Sequence, residues 1–328
     1  MSTLTKGCEA YLFPPHITVI GIGGAGWNAV RHIMQAKVRP VTTVVVDSDA
    51  KSLQKVEADH AVLYPSDNSH ERQTDGVDTG PQWQEQIRNI LELTDFAIII
   101  AGMGGRISSR IALAIARMAK EMGVLTLGFV TKTSAACEDK QRSDTAALGT
   151  VQFLLHIDGL AVFSGNRLMQ LAPRHITYKD MLDHADRIIA DSVKAVVSAV
   201  SSPAITGIGL HQLRALLKDR GRVFIGSATA SGEDRAIMAA KKATFSPLCR
   251  LYPLHSARRV LLVITGGSDL SLTTNTGEIA EARAVVQKAM QPDADLYLAT
   301  VCDDTMGDEV RVTIFATEFV REGKRQYS

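Results

Sequence analysis

Five short apolar runs in the first half of the chain constrain its fold more than any other feature: Ile17–Ile20, Thr43–Val46, Phe96–Ala101, Leu125–Val130 and Leu160–Phe163. They are near-continuous and rich in β-branched residues, as strands buried on both faces are. Stretches of helical apolar spacing separate them, at Asn28–Ala36, Arg110–Glu121 and Thr145–His156. This alternation predicts an α/β domain with a parallel sheet covered by helices on both sides. The polar segment from Tyr64 to Gly80, with Pro65, Gly76 and Gly80, predicts a long surface loop, of a kind that is functional or mobile in a compact domain.

A long amphipathic stretch, Lys179 to Val200, follows, and Ser201-Ser202-Pro203 ends it. Beyond it, Arg222–Gly226, Arg259–Ile264, Leu296–Val301 and Arg311–Ala316 predict strands, and Glu233–Ala243 and Thr276–Met290 predict helices. The domain boundaries this implies are 1–178, a central helix 179–203, a second domain 204–318, and a short basic tail 319–328.

Two glycine turns carry the chemistry. Ile17–Ile20 leads into Gly21-Ile22-Gly23-Gly24-Ala25-Gly26, and a helix opens at Trp27-Asn28. Glycines let backbone N–H groups approach a phosphate, and a helix N-terminus favours negative charge. A tight turn that only packs helix on sheet is the plainer alternative. The pattern is GxGxxG, and Asp47 ends the next strand where a dinucleotide fold keeps its ribose acid. On that ground alone an NAD-dependent oxidoreductase is open. A second turn, Gly102-Met103-Gly104-Gly105, follows another strand and points instead to one nucleotide gripped from two sides.

Composition removes several classes. The formal charge of +1 argues against coating nucleic acid, and aromatics at 5% leave little for base stacking. Four scattered cysteines (Cys8, Cys137, Cys249, Cys302) form no CxxC pair and predict neither a zinc site nor a disulfide framework. No run approaches a membrane span, so direct membrane insertion is not expected and a cytoplasmic location is.

Taken in order, several segments resemble the FtsZ family of bacterial tubulin homologues. Gly21–Ala29 is similar to its first phosphate loop, Val46–Ala50 to the next strand end, and Ala101–Gly105 to the start of the tubulin signature loop. Val130-Thr131-Lys132 precedes Glu138 and Arg142, spaced as the family's ribose contacts. Gly165–Leu168, with Asn166, resembles the segment that meets the base, and Ala185-Asp186 the helical position that reads guanine. In the second half, Ala230–Ala236, Ser246–Leu248, Ile264–Leu270 and Asp308–Thr317 match closely.

The resemblance implies a Rossmann-like nucleotide domain, a long central helix and an α+β C-terminal domain with a four-stranded sheet. It also implies GTP or GDP, with Mg²⁺ beside a triphosphate, held by Gly21, Gly23, Gly24, Ala25, Gly26, Asn28, Asp47, Gly102, Gly104, Gly105, Asn166 and Asp186. By their i, i+4 spacing, Glu138 and Arg142 can reach a ribose or pair with each other.

The departures are as informative. The family's signature loop runs Gly-Gly-Gly-Thr-Gly-Thr-Gly; here it reads Gly104-Gly105-Arg106-Ile107-Ser108-Ser109-Arg110. Arg106 can clamp a phosphate, fill the pocket or face solvent. Ser108 and Ser109 can cap the helix that follows. Gly165 stands where the family has Asn, Leu182 where a Phe stacks, and Trp27 where a polar residue is usual. The loop from Gly207 to Arg214 lacks the family's hydrolytic acids: their positions are Gly207, Gly209 and Gln212. Glycine offers no group to activate water, and neutral Gln is a poor base.

The expectation is an FtsZ-like cytoskeletal protein with weak or absent GTP hydrolysis, assembling with itself head to tail. A pseudo-GTPase that docks on a genuine FtsZ is the alternative. After Thr317 only Glu318–Ser328 remain, so recruitment through the family's usual C-terminal tether peptide is not expected.

Overall fold

A computed structural model describes residues 14–55, 57–64, 81–132, 140–165, 177–201, 204–219, 221–246, 253–270 and 277–319. The chain divides into two compact units, one spanning Pro15–Val193 and the other continuing from Lys194.

In the first unit, β1 (Ile17–Ile22), β2 (Thr42–Asp47), β3 (His60–Leu63), β4 (Phe96–Gly102), β5 (Leu125–Lys132) and β6 (Gly159–Ser164) form parallel pairs in the order β3-β2-β1-β4-β5-β6. All six residues of β1 are buried, as its unbroken apolar run requires. The connecting helices are α1 (Gly23–Gln35), α2 (Ala50–Leu53), α3 (Pro81–Glu92), α4 (Arg106–Glu121) and α5 (Lys140–Leu154). Trp83, Ile87 and Leu91 of α3, Ile111 and Ile115 of α4, and Phe153 of α5 cover one face of the sheet with Ile20, Val44, Ile99 and Val130.

One device recurs at the strand starts of this unit. Asp59 accepts from both the N–H and the hydroxyl of Thr43, at 2.8 and 2.7 Å. Asp158 does the same for Thr126, at 2.9 Å each. In each pair the Asp N–H donates back to the threonine hydroxyl. These reciprocal bonds satisfy backbone donors at an edge where the ladder ends.

Helix α6 (Tyr178–Val200) is the long helix expected from Lys179 to Val200. After it come β7 (Ala204–Thr206), α7 (Leu210–Leu217), β8 (Gly221–Arg222), β9 (Phe224–Ser231), α8 (Arg235–Thr244), β10 (Ala257–Gly266), α9 (Glu278–Ala289), β11 (Asp295–Cys302) and β12 (Glu309–Phe319). Four long strands, β11-β10-β12-β9, form a mixed sheet in which only β10 and β11 are parallel, and short β7 extends it beyond β11. Helix α8 presents Ala236, Ala239, Ala240 and Ala243 to this sheet. Small residues let it lie close: a Cβ at Gly226 would stand 2.2 Å from the Ala243 carbonyl oxygen.

Arg235 opens α8 and is almost fully buried. Its guanidinium donates twice to Glu278, at 2.6 and 3.1 Å, and once to the Asp308 carbonyl at 2.8 Å, with Asp269 also at 2.8 Å. Chiefly through Glu278, these partners hold its pKa above the ordinary arginine value. The fork ties the start of α8 to the start of α9 and to the turn before β12.

Besides the short α2 and β7, three elements of the fold are absent from the sequence reading. Strand β3 is four residues long, and α3 is rich in Gln and Arg, so neither gives a strong periodic signal. The third is α7, within the stretch expected to be a loop from Gly207 to Arg214. Leu213, Leu216 and Leu217 are buried at helical spacing, and three aliphatic anchors outweigh the glycines ahead of them. The expected loop from Tyr64 to Gly80 lies outside the described residues apart from Tyr64, whose ring packs edge-on against Trp83 at 5.1 Å.

Candidate functional site

The strand order places a switch point at β1. The chain leaves it towards β2 and β3 on one side and continues with β4, β5 and β6 on the other. In open α/β sheets the crevice beyond the strand C-termini at such a point takes the ligand. Both glycine turns lie there, since Ile22 of β1 pairs with Ala101 of β4.

The glycines divide by role. A Cβ at Gly21 would fall 2.5 Å from the Gly26 carbonyl oxygen, and one at Gly26 would fall 2.6 Å from the Ile100 carbonyl oxygen. These two residues serve the packing of α1 on the sheet. Gly23 has φ +65°, a left-handed conformation, and a Cβ there would meet the Ser108 hydroxyl at 2.6 Å. Gly24 is exposed, with nothing within 4 Å of where its Cβ would be, so the turn is open on that side. Gly102 lies against Ala25, and Gly105 against Ser108. The two turns therefore touch through Ala25 and Ser108.

Helices α1 and α4 begin at these turns, with no side-chain cap and no acid in either first turn. Two such N-termini side by side make a strong anion site. Ser109 does not cap α4 as expected. Its hydroxyl donates back to the Gly105 carbonyl at 2.9 Å, the i−4 bond that a serine inside a helix makes. Gly105 takes the cap position, with no side-chain bond. Gly104 lies in the turn itself. Arg106 is the first residue of α4, and its side chain lies outside the described residues.

Asp47 ends β2, one residue past the Ile22–Val46 pair and so beside the first turn. Its Oδ1 accepts from the N–H groups of Ser48 at 2.6 Å and Asp49 at 3.1 Å, which fixes the turn after β2. Asn28, in the first turns of α1, is half-buried. Glu138 and Asn166 lie outside the described residues. Arg142 falls within α5, but its side chain is likewise outside them.

Asp186 is 6% exposed on α6. Burial first, and then the nearby Asp183 carboxylate, push its pKa up to about 7, against the pull of Arg31 from α1. Asp183 stands 3.9 Å from Arg31, 3.5 Å from His32 and 3.6 Å from Arg187. Arg31 in turn sits over the Trp27 ring at 5.2 Å from its centroid. A chain of contacts thus runs from the first glycine turn, through Trp27 and Arg31, to the two acids of α6. The sequence reading named Asp186 but not Arg31, His32 or Asp183. The spacing of Asp183, Asp186 and Arg187 on one helix face is the signal that could have found this cluster.

Gly207, Gly209 and Gln212 lead into and begin α7. Ile208 donates to the Ala199 carbonyl at 2.8 Å, which ties the segment to the end of α6. The Gly209 N–H donates to Gln212 Oε1 at 2.8 Å, one half of a capping box. Gln212 therefore serves as a cap through one lone pair of its Oε1. Gln212→Ala is expected to cost about 1 kcal/mol of unfolding free energy. Urea denaturation with an unchanged midpoint would refute the capping role.

Comparisons with known proteins agree with this architecture. Residues 16–173 match the model of the Tubulin/FtsZ family GTPase domain, and residues 221–320 match that of the FtsZ family C-terminal domain. The chain is 32% identical over 322 residues to the cell division protein FtsZ of Rickettsia conorii, covering 95% of this chain and 69% of the relative. The corresponding protein of Rickettsia bellii is 31% identical over 317 residues, covering 95% and 68%. Among solved structures, an empty FtsZ dimer from M. jannaschii superposes with a TM-score of 0.82 at 25% identity, covering 93% of this chain and 89% of that one. CetZ2 of Haloferax volcanii, solved as a GTPγS-bound protofilament, shares the fold with a TM-score of 0.73 at 17% identity, covering 94% of each chain.

Proposed function

The chain belongs to the tubulin/FtsZ family and is an FtsZ-like cytoskeletal protein; on that premise we propose that it binds a guanine nucleotide, assembles with itself head to tail in the cytoplasm, and hydrolyses GTP weakly or not at all. The observation that carries this reading is the pair of uncapped helix N-termini meeting at the switch point, with nothing acidic in either first turn. That arrangement suits phosphates. The cluster on α6 suits a base: ionised Asp186 accepts from the guanine N1–H and exocyclic amine, donors that adenine does not present together.

The glycine turns hold the phosphates through backbone N–H groups, and Asp47 fixes the backbone beside them. A Mg²⁺ ion bound with a triphosphate would supply counter-charge beside these turns. The weak-hydrolysis part of the proposal rests on the other segment. Gly207 and Gly209 carry no side chain to deprotonate or orient water, and Gln212 is engaged by Gly209. Without hydrolysis, bound nucleotide acts as a structural ligand, and polymers persist instead of turning over.

Electron microscopy of the purified chain with GTP, with GDP and without nucleotide, alongside phosphate release, tests this. Filaments with phosphate release near the no-protein background are expected. Robust turnover that is lost in Gln212→Ala would overturn the weak-hydrolysis reading. Monomers in every condition that instead co-sediment with filaments of a genuine FtsZ would favour the pseudo-GTPase alternative.

A further inference from the structure

Helix α5 is apolar on two opposite faces. Ala146, Thr150 and Phe153 are buried, with Ala146 and Phe153 in the core of the first unit. On the other side Leu148, Val151 and Leu155 are 67%, 53% and 64% exposed. Their spacing, i, i+3, i+7, stacks them into one stripe along the helix and the turn that follows it. Leu93 and Phe245, also well exposed, stand singly and need no such explanation. A helix with apolar residues on both faces is one that becomes buried on both.

The charges around the stripe identify what covers it. Exposed Asp144 lies one turn before Leu148, on the same line of side chains. At the other end, exposed Lys120 of α4 donates to the Leu155 carbonyl at 3.0 Å, and Arg117 lies 3.4 Å from His156. Along this line Asp144 therefore marks one end of the stripe and Lys120 with Arg117 the other.

We propose that this face pairs with the same face of a second copy of the chain, α5 against α5, antiparallel about a twofold axis close to Val151. The operation sets Leu148, Val151 and Leu155 against their counterparts and places each Asp144 over the other copy's Lys120 and Arg117. A parallel arrangement would oppose acid to acid and base to base, and the helix dipoles also favour the antiparallel one. A twofold contact is closed, whereas a head-to-tail contact is open. The pairing thus joins two subunits sideways and stands independently of nucleotide-driven filament growth.

Sedimentation velocity of the full chain without nucleotide reads it. A concentration-dependent monomer–dimer equilibrium is expected in the wild type. Asp144→Lys and Lys120→Asp should each weaken it about tenfold, and the double variant should recover most of that loss, because the swap restores opposite charges across the axis. Val151→Glu should leave a monomer, with unfolding unchanged because Val151 is exposed. In a background with the four cysteines changed to serine, Val151→Cys and a short bis-maleimide should give a single dimer band. A monomeric wild type, a Val151→Glu dimer, a double variant no better than the single ones, or a cross-linked ladder would each overturn the proposal. A failure of filament formation under GTP would leave these readouts in place, so the two readings fail separately.

Discussion

Asp186→Asn is expected to stabilise the nucleotide-free protein at pH 8 while sharply reducing its affinity for guanine nucleotides. Asp186 has a pKa of about 7 in the folded chain and an ordinary value of 3.8 when exposed. Between those values the folded state holds a proton that the unfolded state releases, so stability falls as pH rises through that window. The loss is complete above pH 7 and amounts to at most about 4 kcal/mol, from roughly three pKa units at about 1.4 kcal/mol each. Asparagine carries no charge and avoids it. Urea unfolding should therefore show a gap between variant and wild type that is largest at pH 8 and closes towards pH 4. A variant less stable at pH 8, or a gap independent of pH, would contradict the burial argument.

Binding runs the other way. The ionised carboxylate is the form that accepts from guanine, and near pH 6 only about a tenth of free Asp186 is ionised. The dissociation constant of a fluorescent guanosine diphosphate should be about tenfold weaker at pH 6 than at pH 8. In Asp186→Asn it should be weak and flat with pH. This is a local conflict between stability and function of the kind expected at ligand sites.

Arg235→Ala should clearly destabilise the second unit. Removing the guanidinium strips Glu278 and Asp269 of their buried partner and the Asp308 carbonyl of a donor. Glu278 is only 25% exposed and Asp269 55%, so the loss comes mainly from the charge-assisted bonds to Glu278 and the Asp308 carbonyl, about 2–3 kcal/mol, out of a typical total of about 5–15 kcal/mol. Arg235→Lys keeps the charge but loses the fork and should fall between the two. Arg259 is the internal control. It faces Glu318 at 3.0 Å and the largely exposed Asp295 at 3.7 Å, and exposed pairs contribute about 0–1 kcal/mol. Chemical denaturation of Arg235→Ala and Arg259→Ala side by side decides the matter. Equal losses would refute the claim that burial sets the cost.

Much of the architecture was legible because it rests on local periodicity. The apolar runs at Ile17, Thr43, Phe96, Leu125 and Leu160 became β1, β2, β4, β5 and β6, and the long stretch from Lys179 became α6. Where the signal was short or polar it failed. Helix α7 overlaps a stretch that the family resemblance marks as a loop, yet Leu213, Leu216 and Leu217 find a core there.

For the site, the sequence by itself determined which residue types were at hand: glycines at two strand ends, an acid in the middle of a long helix, and two glycines with one Gln between Gly207 and Arg214. Those facts are chemical and need no coordinates. Only the tertiary structure decided what each residue does. It assigned Gly21 and Gly26 to packing and left Gly24 open. It showed Gln212 accepting from the Gly209 N–H as a cap. It turned Asp186 from an ordinary carboxylate into one that titrates near neutrality. The causes lie in packing that no local pattern shows: the Ile100 carbonyl stands behind Gly26, burial of α6 with Asp183 beside it raises Asp186 against the pull of Arg31, and Ala199 holds Ile208 at the approach to α7.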